Sequence, residues 1–226
     1  MPGSRGFADV RGLFGGAASH LVAAGARVVP VADALGDRAV LIALAATAFH
    51  ARAKSAPGGG DLIVGHGVLG RLLARLAVLG GGVAPTVWER EAARGAGAAG
   101  YQVLHPDADT RRDYQTIYDV SGDASLLDTL IGRLAPSGEI VLAGFYDKPL
   151  SFAFPSAFMR EARLRVAAEW KPDDLTGVTA LIASGALSLD GLITHRAPAG
   201  EAGRAYATAF DGTACLKMVL DWSGCS

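Results

Sequence analysis

Cysteine is nearly absent from this 226-residue chain: Cys215 and Cys225 stand near the C-terminus, with no Cys-x-x-Cys pair. That excludes a disulfide framework and a cysteine zinc site. An excess of charge of either sign is also lacking. With 21 Lys and Arg against 22 Asp and Glu, nothing steers the surface toward nucleic acid or an anionic membrane. The longest apolar run, AVLIALAATAF at 39–49, is too short to span a bilayer, so no stable membrane insertion is expected. MPGSRGFADVRG lacks the basic and apolar regions of a secretory signal. The expectation is a cytoplasmic protein with a small-molecule site.

Glycine, by contrast, is abundant. Thirty of 226 residues is nearly twice the usual share of about 7%, which predicts many tight turns between short elements. Residues 7–32 break into short β-rich pieces, and 33–54 carry a helical pattern from a possible N-cap at Asp33 to the stop SAPGGG at 55–60. The rhythm then changes. LIVG (62–65), TVWE (86–89), TIYDVS (116–121) and EIVLAGF (139–145) read as short apolar strands. They are separated by the helix-compatible stretches 71–80, 90–100 and 124–135. A helix leading into a strand is expected over 157–170, a helix over 173–187 and a strand over 215–222. The alternation predicts an α/β fold with a doubly wound parallel sheet covered on both faces.

The stretch DLIVGHGVLGRLLARL places Gly65, Gly67 and Gly70 between the first of these strands and a helix beginning near Val68. In a dinucleotide fold the first glycine permits the tight turn and the second lets backbone approach the pyrophosphate. The third lets helix and strand pack closely, and the anion rests on the helix N-terminus. The motif alone is weak in so glycine-rich a chain. An acid at the end of the second strand, about 20 residues on, would bind the adenosine ribose, and Glu89 is there. Its charge favours NAD over NADP, although the adjacent Arg90 partly offsets the repulsion of a 2′-phosphate. An S-adenosylmethionine methyltransferase is the rival reading, but its usual turn needs glycine where Leu69 stands. His66, inside the turn, is read equally as an anion contact or a plain loop residue. His50 and His195 are read as core or boundary residues in preference to proton carriers.

These segments together resemble the medium-chain, alcohol-dehydrogenase-like reductases, from about Phe7 to Trp222. GFADV and LVAAGARVVPVAD are similar to the last strands of that family's catalytic domain, and ALAATAFHA to its linking helix. YDVSG and LAPSGEIVLAGF follow in the family's order. The strings VRGLFGGAAS, RRDYQTIYDVSGD, FAFPSAFMREARLR, AAEWKP and LSLDGLITHR point more narrowly to the bacteriochlorophyllide-oxidising branch found in purple photosynthetic bacteria.

The resemblance implies an NAD-dependent oxidation of the 3-(1-hydroxyethyl) group of a bacteriochlorophyllide, a tetrapyrrole, to 3-acetyl in bacteriochlorophyll biosynthesis. It implies cofactor roles for Thr47 against the nicotinamide and Gly65, His66, Gly67, Val68, Leu69 and Gly70 at the pyrophosphate. Glu89 and Arg90 fall at the ribose, Ser121 and Gly122 at the edge of a ribose site, Ala143, Gly144 and Phe145 beside the nicotinamide, and Lys217 near the phosphates. Thr47 reads equally as a hydroxyl bonded to its own helix, and Lys217 as a solvated strand lysine. Phe145, Phe152, Phe154, Phe158 and Trp170 would line a macrocycle cleft or form core.

The family's catalytic domain normally begins before the position of Met1, so the expected division is a GroES-like remnant over 1–45, a Rossmann domain over 46–190 and a C-terminal return to the catalytic domain over 191–226. No zinc ligands of related enzymes can be matched here, hence no metal and no assigned catalytic base. The expectation on this reading is a fragment that binds NAD without turnover. A homodimer through the edge strand of the cofactor sheet is the analogy from relatives. Another medium-chain dehydrogenase or quinone reductase, or a non-catalytic dinucleotide-binding module, are the alternatives.

Overall fold

A computed structural model describes residues 20, 22–25, 28–53, 55 and 60–224. Most of the β-rich reading over 7–32, and Cys225, fall outside the described residues. The body is a six-stranded sheet of β1 (Leu62–Val64), β2 (Thr86–Trp88), β3 (Gln102–Leu104), β4 (Tyr114–Asp119), β5 (Leu134–Leu142) and β6 (Arg163–Val166). Its order is β3-β2-β1-β4-β5-β6 and every pairing is parallel. The strand order reverses at the seam between β1 and β4, where open sheets of this kind leave a crevice beyond the strands' carboxyl ends.

Both faces of the sheet are buried, and the two-residue period of a strand decides which side chain goes where. Leu62, Val64, Ile117, Ile140 and Leu142 enter one core cluster, with Leu127, Leu130 and Ile131 of α3 (Leu127–Arg133) and Ala157 of α4 (Phe154–Met159). Ile63, Val87, Tyr118 and Val141 enter the other. There they meet α1 (Ile42–Arg52), α2 (Val68–Leu79) and α5 (Pro172–Ala183) through residues such as Ala45, Ala48, Leu72, Leu73 and Val178. This is why the strands read as continuous apolar runs.

The structure departs from the expected elements in four places. Residues 90–100 form no α-helix: a 3-10 turn at Ala92–Arg94 gives way to an extended loop that leads into β3, an edge strand absent from the expectation. Gly97 and Gly100 take positive φ there, outside the helical region, and a Cβ on Gly97 would stand 2.4 Å from Arg71 Nη1 of α2. Asp33 is not a cap. The 3-10 helix Asp33–Leu41 is preceded by Ala32, which makes no side-chain cap bond, and is kinked at Gly36. Third, the apolar run is longer than its sequence suggests, since the helical stretch Asp33–Arg52 has the length and mean hydropathy of a membrane span. It is folded onto the sheet instead, with Leu41, Ala45 and Ala48 fully buried. Fourth, β8 (Met218–Asp221) pairs in parallel with β7 (His195–Pro198) across α6 (Ala202–Asp211), making a separate two-stranded unit.

Candidate functional site

The glycine turn leaves β1 at the reversal of strand order, and its three glycines stand in three different settings. Gly65 takes φ 107, a conformation L side chains rarely adopt. A Cβ on Gly70 would stand 1.8 Å from the Gly65 carbonyl oxygen, so helix and strand can approach only without it. Gly67 meets nothing within 4 Å. No protein atom therefore requires glycine at 67, and the space beside it opens outward at the N-terminus of α2. No side chain caps that first turn, to which Val68 and Leu69 belong, so its orphan N–H groups suit an anion.

Glu89 closes β2 beside this turn. Its Oε2 accepts the His66 backbone N–H at 3.1 Å and its Oε1 accepts the Glu91 N–H at 2.9 Å. Two bonds leave lone pairs on a half-buried carboxylate that can take four. The His66 side chain turns away from the turn and is fully buried: Nδ1 lies 2.6 Å from the Arg94 carbonyl and Nε2 lies 2.9 Å from the Tyr101 hydroxyl. Burial holds its pKa below the usual histidine value, so the neutral ring donates to Arg94 and accepts from Tyr101. Arg71 adds bonds to the His66 and Arg94 carbonyls at 3.0 and 2.8 Å. The Arg94 side chain in turn donates to the Thr213 carbonyl at 2.6 Å, joining the loop before β8 to this cluster.

On the far side of the turn, the loops after β4 and β5 interlock. Gly65 faces the Ser121 backbone, a Cβ on Gly122 would stand 2.9 Å from the Phe145 carbonyl oxygen, and one on Gly144 would stand 3.1 Å from the Gly122 nitrogen. The buried Asp119 at the end of β4 organises this side by accepting the Ser121 N–H at 3.0 Å and hydroxyl at 2.7 Å. Its backbone carbonyl receives the Ala143 and Gly144 N–H groups, at 3.0 and 2.9 Å, and the Tyr146 hydroxyl at 3.3 Å. Burial, reinforced by Asp119, raises the Tyr146 phenol well above its ordinary pKa.

The structure thus brings Gly65 to Gly70, Glu89, Ser121, Gly122, Ala143, Gly144 and Phe145 together at the carboxyl ends of β1, β2, β4 and β5. Arg90 is exposed and reaches Asp123. The Thr47 hydroxyl donates to Ala43 O in its own helix at 3.0 Å. Lys217 belongs to the β7–β8 unit, where its carbonyl accepts the Thr194 and His195 N–H groups at 3.2 Å. His50 is tied by Nδ1 to Asp174 at 2.7 Å, and the His195 Nδ1 lies 2.9 Å from the Thr194 hydroxyl. The aromatic candidates are surface residues and not core: Phe145, Phe154 and Phe158 are each about two-thirds or more exposed. Sequence reasoning missed Asp119, Arg71, Arg94 and Tyr101. The D-x-S spacing of DVSGDAS, an Asx-turn signal, would have found Asp119; the other three meet only through the fold.

No protein-family model matches the chain. A 2-desacetyl-2-hydroxyethyl bacteriochlorophyllide A dehydrogenase of Rhodobacter capsulatus is 59% identical over 98% of this chain and 71% of its own length. The protein of that name from Cereibacter sphaeroides is 56% identical, again over 98% of this chain and 71% of its own length. Among solved structures, a putative zinc-binding dehydrogenase from Sinorhizobium meliloti bound to NADP superposes with a TM-score of 0.69 at 19% identity, over 80% of this chain and 58% of that one. An Escherichia coli protein described as a short chain alcohol dehydrogenase complexed with NADH gives 0.70 at 19% identity, over 84% and 61%. The chain therefore spans less than two thirds of these solved structures, and their likeness to it is one of fold. Its identity to the two bacterial relatives, carried across nearly all its length, makes this chain a member of the 2-desacetyl-2-hydroxyethyl bacteriochlorophyllide A dehydrogenase family.

Proposed function

We propose that the crevice holds NAD and that the chain serves the oxidation of the 3-(1-hydroxyethyl) substituent of a bacteriochlorophyllide to a 3-acetyl group. The identity of 59% to a relative bearing that name is the observation that carries the reading. The crevice fits the cofactor on three counts. Gly67 leaves open space where a pyrophosphate would approach, the first turn of α2 has no side-chain cap, and Glu89 retains lone pairs for ribose hydroxyls. NAD is preferred to NADP because a 2′-phosphate would meet the Glu89 carboxylate.

When bound, the nicotinamide supplies a hydride acceptor, so that the carbinol carbon gives up a hydride and its hydroxyl a proton. The residues of this chain bind and orient. The glycine turn and α2 hold the phosphates, Glu89 fixes the ribose, and the interlocked Gly122 and Gly144 shape the edge of the nicotinamide site, with Phe145 exposed beside it. Thr47 and Lys217 complete the set. Residues 1–45 and 191–226 are read as parts of a catalytic domain flanking the Rossmann domain of 46–190, and the catalytic base is sought outside the residues named here. We read the protein as cytoplasmic. We read it also as a homodimer through the edge strand of the cofactor sheet, with the FAFPSAF region at 152–158 as its place, where Phe154 and Phe158 are exposed.

The test is a calorimetric titration of the chain with NADH, NADPH and S-adenosylmethionine, followed by product analysis with a 3-(1-hydroxyethyl) bacteriochlorophyllide and NAD. Saturable NADH binding, weaker for NADPH, is expected. Tight S-adenosylmethionine binding without NADH binding would sink the reading.

A further inference from the structure

Arg90 follows Glu89 at the end of β2, and Asp123 precedes the 3-10 turn Ala124–Leu126 that leads into α3. Because β1 lies between β2 and β4, a contact between these side chains passes over the end of β1, where the glycine turn begins. Arg90 Nη2 lies 3.5 Å from Asp123 Oδ2. The carboxylate is fixed on its own loop, since Oδ1 accepts the Ser125 N–H at 3.0 Å and the Ser125 hydroxyl at 2.6 Å, while the Asp123 N–H donates to Ser121 Oγ at 3.1 Å. The bonds from Ser125 keep the Asp123 carboxyl below its ordinary pKa, hence ionised at neutral pH. It is the arginine that spans the gap.

An arginine next to the ribose carboxylate is the group that accommodates a 2′-phosphate in NADP-dependent proteins of this fold. Whether it does so depends on where its charge is already engaged. We infer that Asp123 is a specificity-determining residue: by holding Arg90 across the end of β1, it withholds that cation from a 2′-phosphate and so sharpens the preference for a dinucleotide with a free 2′-hydroxyl. The inference rests on the dinucleotide reading above. The Arg90 side chain is 64% exposed, and an exposed ion pair is worth little, so the effect is a modest bias added to that of Glu89.

The test is the ratio of NADPH to NADH dissociation constants, by calorimetry, for the 226-residue chain, Asp123→Asn, Arg90→Gln and the double variant. Asparagine caps as well as aspartate, and Asp123→Ser repeats the test with a different neutral cap. Neutralising Asp123 should lower the ratio about two- to fivefold, the range an exposed pair supports. The shift should fade at high salt and vanish when Arg90→Gln is also present. An unchanged ratio in both neutral variants, or a shift that survives loss of Arg90, would overturn the inference while leaving NADH binding intact. Failure of the parent chain to bind either dinucleotide would instead overturn the reading beneath it, and the inference with it.

Discussion

Two carboxylates flank the central strands, and they differ in what the fold has left for them to do. Asp109 is 6% exposed. Its Oδ2 accepts the Trp88 indole N–H at 2.7 Å and the Tyr114 hydroxyl at 2.8 Å, and its Oδ1 accepts the Arg111 N–H at 2.8 Å. The Arg133 guanidinium, 3.8 Å from Oδ1, lies over the Trp88 ring. Glu89 takes two backbone N–H groups and still faces an open crevice. A buried charge whose partners all come from the chain is architecture, whereas one left partly unsatisfied at the end of a strand is available to a ligand.

The sharpest way to break this comparison is to remove Asp109. Asp109→Ala strands a buried arginine and two aromatic donors and should cost about 3–5 kcal/mol, read by denaturant unfolding, while any folded fraction keeps its dinucleotide affinity. A loss of affinity with stability intact would reverse the assignment of roles. Next come the two glycines. Gly70→Ala should destabilise by about 1–3 kcal/mol through overpacking against Gly65, whereas Gly67→Val should leave the melting temperature within a few degrees and abolish NADH binding. Equal melting losses for both would mean that Gly67 is needed by the fold and not by a ligand.

Alkaline pH probes the Asp109 cluster through Tyr114, alongside the raised phenols of Tyr101, Tyr118 and Tyr146. Burial pushes the Tyr114 phenol up to about 12, against about 10 in an unfolded chain. The folded state therefore holds this proton more tightly, and its contribution is complete below pH 10 and lost as pH rises through 12. Unfolding free energies measured at pH 9 and above pH 11 should show that fall, and Tyr114→Phe should make it smaller by the share Tyr114 contributes. The smallest effect on stability is expected for Glu89→Gln, about 1 kcal/mol or less for weakened hydrogen bonds to backbone. Its signature is a weaker NADH titration and a narrower gap between NADH and NADPH.

The parallel sheet was legible because strands buried on both faces are short apolar runs, and the turn was legible because Gly65 and Gly70 answer local constraints at the spacing of the motif. Glu89 could be found by counting from that turn. The stretch 90–100 misled: its alanines have helical composition, but only Ala92–Arg94 coils, and Gly97 and Gly100 then take positive φ. The β7–α6–β8 unit and the tie between Arg94 and Thr213 were hidden for another reason. They depend on pairings between distant segments that no local period encodes. His66 looked equally like an anion contact and a loop residue from its position, and it took Tyr101, 35 residues on, to turn its ring inward.

The seam between β1 and β4 carries a kinetic consequence. Pairing Leu62 with Ile117 encloses β2, β3 and their loops in one long excursion of the chain, and such non-local closures slow folding. The glycine turn begins at that same seam. A ligand that contacts the loops after both strands binds only the assembled form and raises its stability by mass action, about 2.7 kcal/mol at a hundredfold excess over the dissociation constant. A dinucleotide bound across those loops would then act as a late clasp on the sheet.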